Sequence, residues 1–455
     1  MSDPSSPPVP ARTTDPASAP ATDKTTTGAA PAPDSPSSPS VRKAVPPGAG
    51  PGGRTAEPPP PWSVATIAEG FRKAGIAVRV DDADTTAGYG PQLVFETAAG
   101  SRAGRADEGL TVLVETGLLR ITGADAASFL QNQLTNDVGL AATDRAVLAG
   151  ICNPKGRLIA SFALWREAGH GGEPDTDGDA AGSAAGAAAR GDAFWLACSR
   201  DMTAALARRL RMFVLRSKVK ITTHDHDALA IGVLGARTID TAADALVEHD
   251  SPFGRALVGL PQTAHPHAHG SSAATAVPRA FAVTSVAELG AVATRAQACG
   301  LEWIGSRNWR WQEVQSATAR IMAATSERFV PQMVNFERTG GVSFTKGCYP
   351  GQEVVARSHY RGTTKRRMFV VAGHGSLPSP GADLDPASGS AEPAGAVVLA
   401  ARDPADETRW AMLAEARIDA AHAGLALSGA PTTALPLPYP LIDAPGSGSA
   451  ADDSR

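Results

Sequence analysis

The residue best suited to do chemistry is Cys348, which follows Lys346 and Gly347 and precedes a Pro350-Gly351 pair. Side chains two apart in an extended strand face the same way, so the spacing predicts that the lysine lies beside the thiol. The Pro-Gly pair is typical of a type II turn, and a helix starting directly after it would place its N-terminal amides near the sulfur. A lysine and a helix N-terminus both favour thiolate over thiol. The pattern therefore indicates a reactive cysteine.

A buried, unreactive Cys348 is the alternative interpretation, because most free cysteines are small core side chains. Spacing alone leaves both interpretations open. Glycine on one side of the cysteine and Pro-Gly on the other are unlike a core strand, and this difference favours a functional thiol.

The remaining cysteines, Cys152, Cys198 and Cys299, form no C-x-x-C pair with each other or with Cys348. This spacing argues against a closed zinc site and against an iron–sulfur cluster held within the chain. Wide spacing in a long chain also argues against a disulfide framework, so reduced thiols are expected. Three histidines at 265–269 lie in a Pro/Ala/Ser-rich segment, where adventitious binding is the ordinary explanation, so we predict no functional metal site.

A short basic block follows the cysteine segment. Its usual explanation is a solvated surface, and its functional explanation is a site for an anion such as a polyglutamate tail or phosphate. Tyr349 and Tyr360 could stack on a flat heteroaromatic ring or could merely pack. The block consists of Arg357, His359, Arg361, Lys365, Arg366 and Arg367.

Composition excludes several classes of protein. The chain has 455 residues, enough for two or three domains, and 43% of them are hydrophobic. Its formal net charge of −4 argues against a general nucleic-acid binder, which would carry a basic surplus. No apolar run reaches the ~18 residues that a membrane span requires. We therefore predict no direct nucleic-acid partner and no membrane association.

Low-complexity segments divide the chain. Residues 1–61 contain no Leu, Ile, Phe, Tyr or Trp, too little apolar surface to offset the entropy of ordering them. They also lack the apolar run of a secretory signal and carry four aspartates, which a mitochondrial transit peptide would avoid. We predict a disordered tail on a cytoplasmic protein. Residues 168–192 and 261–280 are predicted insertions, and 441–455 a second disordered tail.

Short strands and helices alternate after Trp62, which favours an α+β fold of antiparallel sheet and helices. Residues 111–122 have the pattern of strand, turn and strand. Residues 146–165 have the pattern of two strands joined by the turn Asn153-Pro154-Lys155-Gly156. Asp125 is expected to cap the helix between these strand pairs.

Further along the chain, Asp201 is expected to cap a second helix, and Ser306 a third that runs toward Thr325. Residues 224–227 (HDHD) are expected to form a polar turn. After Gly362 the pattern becomes strand-like with Pro and Gly breaks, which predicts a small C-terminal β-barrel.

Residues 346–353 read KGCYPGQE and match the K-G-C-Y-x-G-Q-E signature of the YgfZ family of GcvT-like folate-binding proteins. An eight-residue match that includes Cys and Tyr is far more specific than a lone glycine motif. The resemblance covers roughly residues 109–416. Further similar segments stand at 130–137 (LQNQLTND), 152–157 (CNPKGR), 329–333 (FVPQM), 340–344 (GGVSF) and 355–357 (VAR).

The resemblance implies a ring of sheet-plus-helix domains around a folate site. With the composition breaks, it places two interleaved domains in a folate-binding core at 62–345, and the signature motif and β-barrel at 346–440. It implies tetrahydrofolate as cofactor, polyglutamylated or not, and iron–sulfur assembly or client proteins, including tRNA-modifying enzymes, as partners. The implied catalytic residues are Cys348 and Lys346; the implied folate-binding or motif residues are Tyr349, Gly351, Gln352, Glu353, Arg357, Tyr360, Arg361, Asn136 and Asp137.

Two departures bear on the reaction. The aminomethyltransferase of the wider superfamily uses carboxylates on its folate amine, but the matching stretch 157–162 has none. Counting back from FVPQM puts Gln315 at the second carboxylate position. Where the family commonly has Ala-Gly-x-Pro, residues 316–319 read Ser-Ala-Thr-Ala, for which we expect a local change of helix path.

Three functions remain. We predict a tetrahydrofolate-binding factor that supports synthesis or repair of iron–sulfur enzymes through Cys348. The missing carboxylates disfavour the second, a folate-dependent one-carbon transferase. The third, a non-catalytic assembly scaffold, is disfavoured because a passive module needs no activated thiol.

Overall fold

A computed structural model describes residues 62–95, 107–167, 192–246, 257–261, 277–360, 364–389 and 392–441. Residues 1–61 and 442–455, which we predicted to be disordered, lie outside the described residues, as do most of the predicted insertions. Both insertions end earlier than predicted, because Asp192 and Arg279 already begin strands. No helix within the described ranges is long and apolar enough to cross a membrane.

The described elements are eight α-helices and eighteen strands, together with short 3₁₀ turns. The helices are α1 (Val64–Lys73), α2 (Ala126–Gln131), α3 (Thr203–Arg211), α4 (Ala236–Leu246), α5 (Leu289–Ala298), α6 (Ser306–Gln315), α7 (Gln352–Tyr360) and α8 (Ile418–Ala423). The strands are β1 (Val78–Asp81), β2 (Gln92–Phe95), β3 (Gly109–Val112), β4 (Thr116–Gly123), β5 (Val147–Cys152), β6 (Leu158–Arg166), β7 (Asp192–Ser199), β8 (Lys220–Thr223), β9 (Ala228–Leu234), β10 (Val258–Gly259), β11 (Arg279–Ser285), β12 (Arg366–His374), β13 (Asp383–Pro386), β14 (Gly395–Asp403), β15 (Asp406–Arg417), β16 (Leu425–Leu427), β17 (Ala430–Pro431) and β18 (Thr433–Leu435).

The first large sheet is antiparallel and has the strand order β5-β6-β7-β4-β8. Helices α2 and α3 pack on it, where Phe129, Leu130, Leu206 and Leu210 are buried with the apolar side chains of the strands. The predicted hairpin is present: β5 and β6 are joined by the 153–156 turn, in which the Gly156 amide donates to the Asn153 carbonyl at 2.9 Å.

A second antiparallel sheet has the order β10-β11-β9-β3. Its core also contains α1, α5 and the β1–β2 hairpin. Within that core the ring of Phe71 packs edge-on against those of Phe95 and Trp303, with centroids 4.9 and 4.7 Å away. These aromatic contacts therefore hold the N-terminal helix to the β1–β2 hairpin and to the segment between α5 and α6.

The chain passes from the second sheet to the first and back. Strand β3 belongs to the second sheet, β4 to β8 build the first, and β9 returns to the second. The two sheets meet through Trp165, whose ring stacks on Trp195 of its own sheet and lies 6.0 Å from Phe281 of the other. The chain therefore crosses between the two sheets twice, and the predicted domain organisation stays a prediction.

The C-terminal strands form a nearly closed, barrel-like antiparallel sheet in the order β17-β16-β13-β14-β15-β12-β18. The predicted barrel is therefore confirmed, and with it the α+β class. Tyr89, from the N-terminal part of the chain, is buried against it: its hydroxyl donates to the Pro378 carbonyl and accepts from the Ala400 amide at 2.6 Å.

A buried ionic network on α6 connects the three sheets. Asp84, fully buried, pairs with Arg310 of α6 and with Arg402 of β14. Arg310 also pairs with Glu115, in the turn between β3 and β4. Burial raises the pKa of the Glu115 carboxyl, but Arg310 and Arg320 overcome this effect and hold it below its usual value. Such a network fixes α6 relative to its neighbours because separating any pair would leave a buried charge uncompensated.

The predicted helix caps are confirmed only in part. Asp125 is the N-cap residue of α2, and Asp201 lies in the 3₁₀ turn before α3, but neither carboxylate bonds an amide of its helix. The two carboxylates accept instead from the amides of Lys218 and Ala323. The third helix begins at Ser306 with Gly305 as its cap, and it ends at Gln315 rather than near Thr325. The predicted polar turn at 224–227 is confirmed, since it joins β8 to β9.

Candidate functional site

The 153–156 turn and the start of α7 pack against each other with almost no free space. Gly351 has φ +82°, a left-handed conformation that favours glycine. A Cβ on Gly351 would lie 2.8 Å from the Gly156 Cα, and one on Gly156 would lie 2.9 Å from the Val354 Cβ. Two segments that are nearly two hundred residues apart in sequence thus form one interlocked surface.

Cys348 lies just before this contact, and its side chain is exposed. The alternative interpretation, a buried core cysteine, is therefore wrong. Helix α7 starts four residues later. The turn that precedes it, at 349–352, is closed by the Gln352 amide, which donates to the Tyr349 carbonyl at 3.2 Å. The thiol is thus presented to solvent on a short loop whose following residues are fixed.

Lys346 does not lie in a strand with Cys348, so the expectation that both side chains share a strand face is wrong. Lys346 is buried, and its ammonium donates to the carbonyls of Gln131 and Leu134 at 2.5 and 2.6 Å. It thereby satisfies the free carbonyls at the end of α2. Burial lowers the pKa of Lys346 to about 8, against the opposing effect of Asp137.

Asn136 and Asp137 lie behind the loop that carries Cys348 and help to hold it. The buried Asn136 amide donates to the carbonyls of Leu148 and Gly340, both at 2.7 Å, and so connects β5 to the segment before the cysteine. Its side-chain oxygen accepts from the Asp137 amide, and the Asp137 carboxylate caps the following 3₁₀ turn by accepting from Gly139.

Tyr349 packs inward, in contrast to Cys348 beside it. Its ring is buried and lies 5.3 Å from the Lys346 ammonium. Burial, with a smaller contribution from nearby Cys152, raises the pKa of the Tyr349 phenol above its usual value. Burial alone raises the pKa of the Cys152 thiol to about 12. Both groups are therefore neutral packing elements under the loop.

Helix α7 carries most of the other predicted site residues toward solvent. Glu353 and Arg357 are exposed and pair with each other at 2.8 Å, one helical turn apart. Tyr360 is 71% exposed. The neighbouring His359 stacks on Phe344, with centroids 3.8 Å apart. Gln352 is partly buried, and Arg361 lies outside the described residues.

Among the described residues of the basic block, three cations have carboxylate partners. Arg366 and Arg367 are adjacent on β12 and pair with different carboxylates, Glu415 and Glu337. Together with the pairing of Arg357 on α7, this leaves three of the block's cations neutralised by local partners. The predicted anion site at this block, which also includes Arg361 outside the described residues, stays a prediction.

A separate cleft opens where β6, β7, β11 and α6 meet. Three aromatic side chains, Phe162, Phe281 and Trp309, line it. Its polar lining includes Ser161, Arg279, Glu313, Thr318 and Arg320. Neither Cys348 nor any of the described site residues predicted from the motif lines this cleft, so the structure contains two candidate sites rather than one.

The cleft carries a carboxylate that the sequence analysis missed. Counting from FVPQM selected Gln315, but Glu313 is the residue of α6 that lines the cleft. Residues two apart on an α-helix point about 200° apart, so an offset of two turns the side chain to the other face. Glu313 pairs with Arg320 at 3.2 Å, and Arg320 pairs in turn with Glu115 at 2.8 Å.

Among the described residues, no group of three or more His, Cys, Asp or Glu side chains is arranged to hold a metal ion. The three histidines at 265–269 lie outside the described residues.

One solved structure has a similar fold to this chain. The solved structure of glycine cleavage system aminomethyltransferase T from Bartonella henselae matches with a TM-score of 0.56 and 14% identity, over 82% of this chain and 96% of that one. No protein-family model matches the chain. The architecture is therefore that of the GcvT-like aminomethyltransferase fold.

Curated relatives identify the family to which this chain belongs. The protein named tRNA-modifying protein YgfZ from Enterobacter sp. (strain 638) is 30% identical over 281 residues, which are 61% of this chain and 76% of the relative. The protein of the same name from Yersinia pseudotuberculosis serotype IB (strain PB1/+) is 29% identical over 306 residues, 66% of this chain and 82% of the relative. The chain belongs to the YgfZ family.

Proposed function

We propose that this protein is a folate-binding factor that supports iron–sulfur enzymes, including those that modify tRNA, and that it acts through Cys348. Membership of the YgfZ family supports the link to tRNA modification, since the relatives are named tRNA-modifying proteins. The observation that carries the role of Cys348 is its exposure on a loop whose neighbours, Lys346, Tyr349 and Gly351, are all held by built contacts.

In this proposal Lys346 positions the loop. Its ammonium is bonded to the end of α2, so it anchors the chain two residues before the thiol. Asn136 holds the segment before that anchor, and Gly351 holds the one after it. A thiol fixed in this way can meet a partner's reactive atom without an entropic cost of ordering the loop.

We place the folate in the cleft rather than on the basic block. The donor set there fits a planar, polar heterocycle: aromatic walls suit the flat ring, and Glu313 and Arg320 can pair with its hydrogen-bonding edges. A bound tetrahydrofolate would supply one-carbon or reducing chemistry. The residues of the cleft would bind it and exclude water.

The experiment is complementation of cells that lack the protein. Wild type and Cys299→Ser should restore both iron–sulfur enzyme activity and thiolated tRNA nucleosides, whereas Cys348→Ser should restore neither, because a serine hydroxyl is hardly ionised near neutral pH. Cys299 is the matched control because it is the other exposed cysteine among the described residues. Full rescue by Cys348→Ser would rule out the proposed mechanism.

Glu313 favours a second candidate, a folate-dependent one-carbon transferase. A carboxylate beside a bound amine can stabilise charge or accept a proton, and Glu313 lines the cleft although both aligned carboxylate positions lack one. The test is turnover of methylene-tetrahydrofolate by the purified protein, compared with Glu313→Gln. Turnover that Glu313→Gln abolishes would favour the transferase, and binding without turnover would favour the first proposal.

A further inference from the structure

The two cleft arginines differ in how their charges are balanced. Arg320 lies between two carboxylates, those of Glu115 and Glu313. Arg279 is 7% exposed, yet among the described residues no carboxylate pairs directly with its guanidinium. A buried cation without an ion pair is costly, so a residue of this kind requires an explanation.

Hydroxyl groups and an aromatic ring hold Arg279 in place. One terminal nitrogen donates to the Ser316 hydroxyl at 2.9 Å and makes a longer contact of 3.5 Å with the Thr318 hydroxyl. The two hydroxyls lie 3.0 Å apart. The guanidinium carbon stands 5.4 Å from the centroid of the Trp309 ring. The side chain is therefore preorganised at the edge of the cleft.

The two hydroxyls come from the segment that follows α6. Ser316 is the residue directly after the last residue of that helix, and Thr318 stands two positions further on. An alanine at 316 could not accept a hydrogen bond from Arg279. This segment therefore supplies the groups that fix the cation.

We propose that Arg279, held by Ser316 and Thr318, is the anion-recognition residue of the cleft and binds a carboxylate of the glutamate moiety of folate. The proposal rests on folate binding in the cleft. A carboxylate would pair with the remaining guanidinium nitrogens and supply the charge that the protein leaves unbalanced. Burial lowers the pKa of Arg279, opposed by Glu313, and a ligand carboxylate would offset this cost.

The test separates the two ends of the ligand. Three probes are titrated into wild type and Arg279→Gln: 5-formyltetrahydrofolate, p-aminobenzoylglutamate, which is the tail alone, and 6-methyltetrahydropterin, which is the ring alone. We expect Arg279→Gln to weaken the first two about 10- to 100-fold and to leave the third unchanged. Ser316→Ala, which removes one of the two hydroxyl partners of Arg279, should weaken the same two to a smaller extent.

Every other outcome contradicts either folate binding in the cleft or the role of Arg279. If wild type binds none of the probes, folate binding in the cleft fails, and the role of Arg279 fails with it. If wild type binds folate and Arg279→Gln binds it equally well, only the role of Arg279 fails. An equal loss of the ring probe would show that Arg279 binds the ring instead.

A folding control keeps the test interpretable. Without ligand, Arg279→Gln should melt no lower than wild type, because it removes a buried cation that lacks an ion pair. If Arg279→Gln does not fold, the double variant Ser316→Ala, Thr318→Val replaces it in the test. This variant keeps the guanidinium but removes its two hydroxyl partners. The same selective loss of the tail probe is expected there, and unchanged tail binding would overturn the proposal.

Discussion

Gly351 lies so close to Asn153 and Gly156 that no side chain fits between the start of α7 and the 153–156 turn. The contact joins the cysteine segment to the hairpin of β5 and β6. It also sets the direction in which the loop leaves the surface, and therefore where Cys348 is presented.

Gly351→Ala should destabilise the protein by roughly 2–5 kcal/mol, from the left-handed φ of +82° and the overlap with Asn153. Gly347→Ala is the matched control, because a Cβ there meets nothing within 4 Å and the change should cost less than about 0.5 kcal/mol. Urea unfolding of the three proteins measures both values. Equal urea midpoints for wild type and Gly351→Ala would show that the contact between Gly351 and the 153–156 turn has room for a side chain.

Cys348 and Cys299 should be modified by iodoacetamide in the native protein, whereas Cys152 and Cys198 should react only after unfolding. Burial raises the pKa of both Cys152 and Cys198 to about 12, so they are inaccessible and protonated at pH 8. Mass spectrometry of digests gives the site of each label. Cys348→Ser should shift the free energy of unfolding by less than about 0.5 kcal/mol, because the side chain is exposed.

Lys346 should make stability rise with pH. Its pKa is about 8 in the fold and about 10.4 in an unfolded chain. Between these values the unfolded state binds more protons, so the free energy of unfolding increases with pH. The penalty for burying the charged amine is fully present below pH 8 and is relieved above it.

Lys346→Met removes this contribution. The stability of wild type relative to Lys346→Met should therefore increase from pH 8 to pH 10, as measured by urea unfolding in steps of one pH unit. Lys365→Met, which alters an exposed lysine, is the control. A difference that stays flat or falls over this range would contradict the buried position of the ammonium.

Asn136→Ala should cost about 1–3 kcal/mol, since it leaves the carbonyls of Leu148 and Gly340 without their donor. The change should also loosen the loop and reduce complementation in cells. Asn132→Ala, at an exposed position six residues after Ala126, should be neutral. If Asn136→Ala and wild type have the same melting temperature, the two hydrogen bonds of the Asn136 amide contribute little to stability.

Arg310→Met should destabilise the fold by about 3–5 kcal/mol, because it leaves Asp84 and Glu115 without the cation they share. Its control is Arg237→Met, which removes an exposed ion pair with Glu108 and should change the melting temperature little. A small effect at Arg310 would show that Arg307, Arg320 and Arg402 compensate for its loss.

Local patterns in the sequence were sufficient for much of this fold. The 153–156 turn and the strands on either side of it were predicted correctly, because turn residues and side-chain alternation act over a few neighbouring positions. The eight-residue signature was sufficient for the family. The exposure of Cys348 agrees with the glycine before it and the Pro-Gly pair after it, which are unlike a core strand.

Contacts between distant residues decided the rest. The direction of Lys346 depends on the end of α2, more than two hundred positions away in the chain, and the pairing of Arg366 and Arg367 depends on carboxylates of other segments. The selection of Glu313 over Gln315 depends on the rotation of α6, which its buried ion pairs fix. The sequence determined which groups are present and the local turns that expose them. Only the tertiary structure decided which charges meet, because electrostatic partners are chosen by distance in space and by burial.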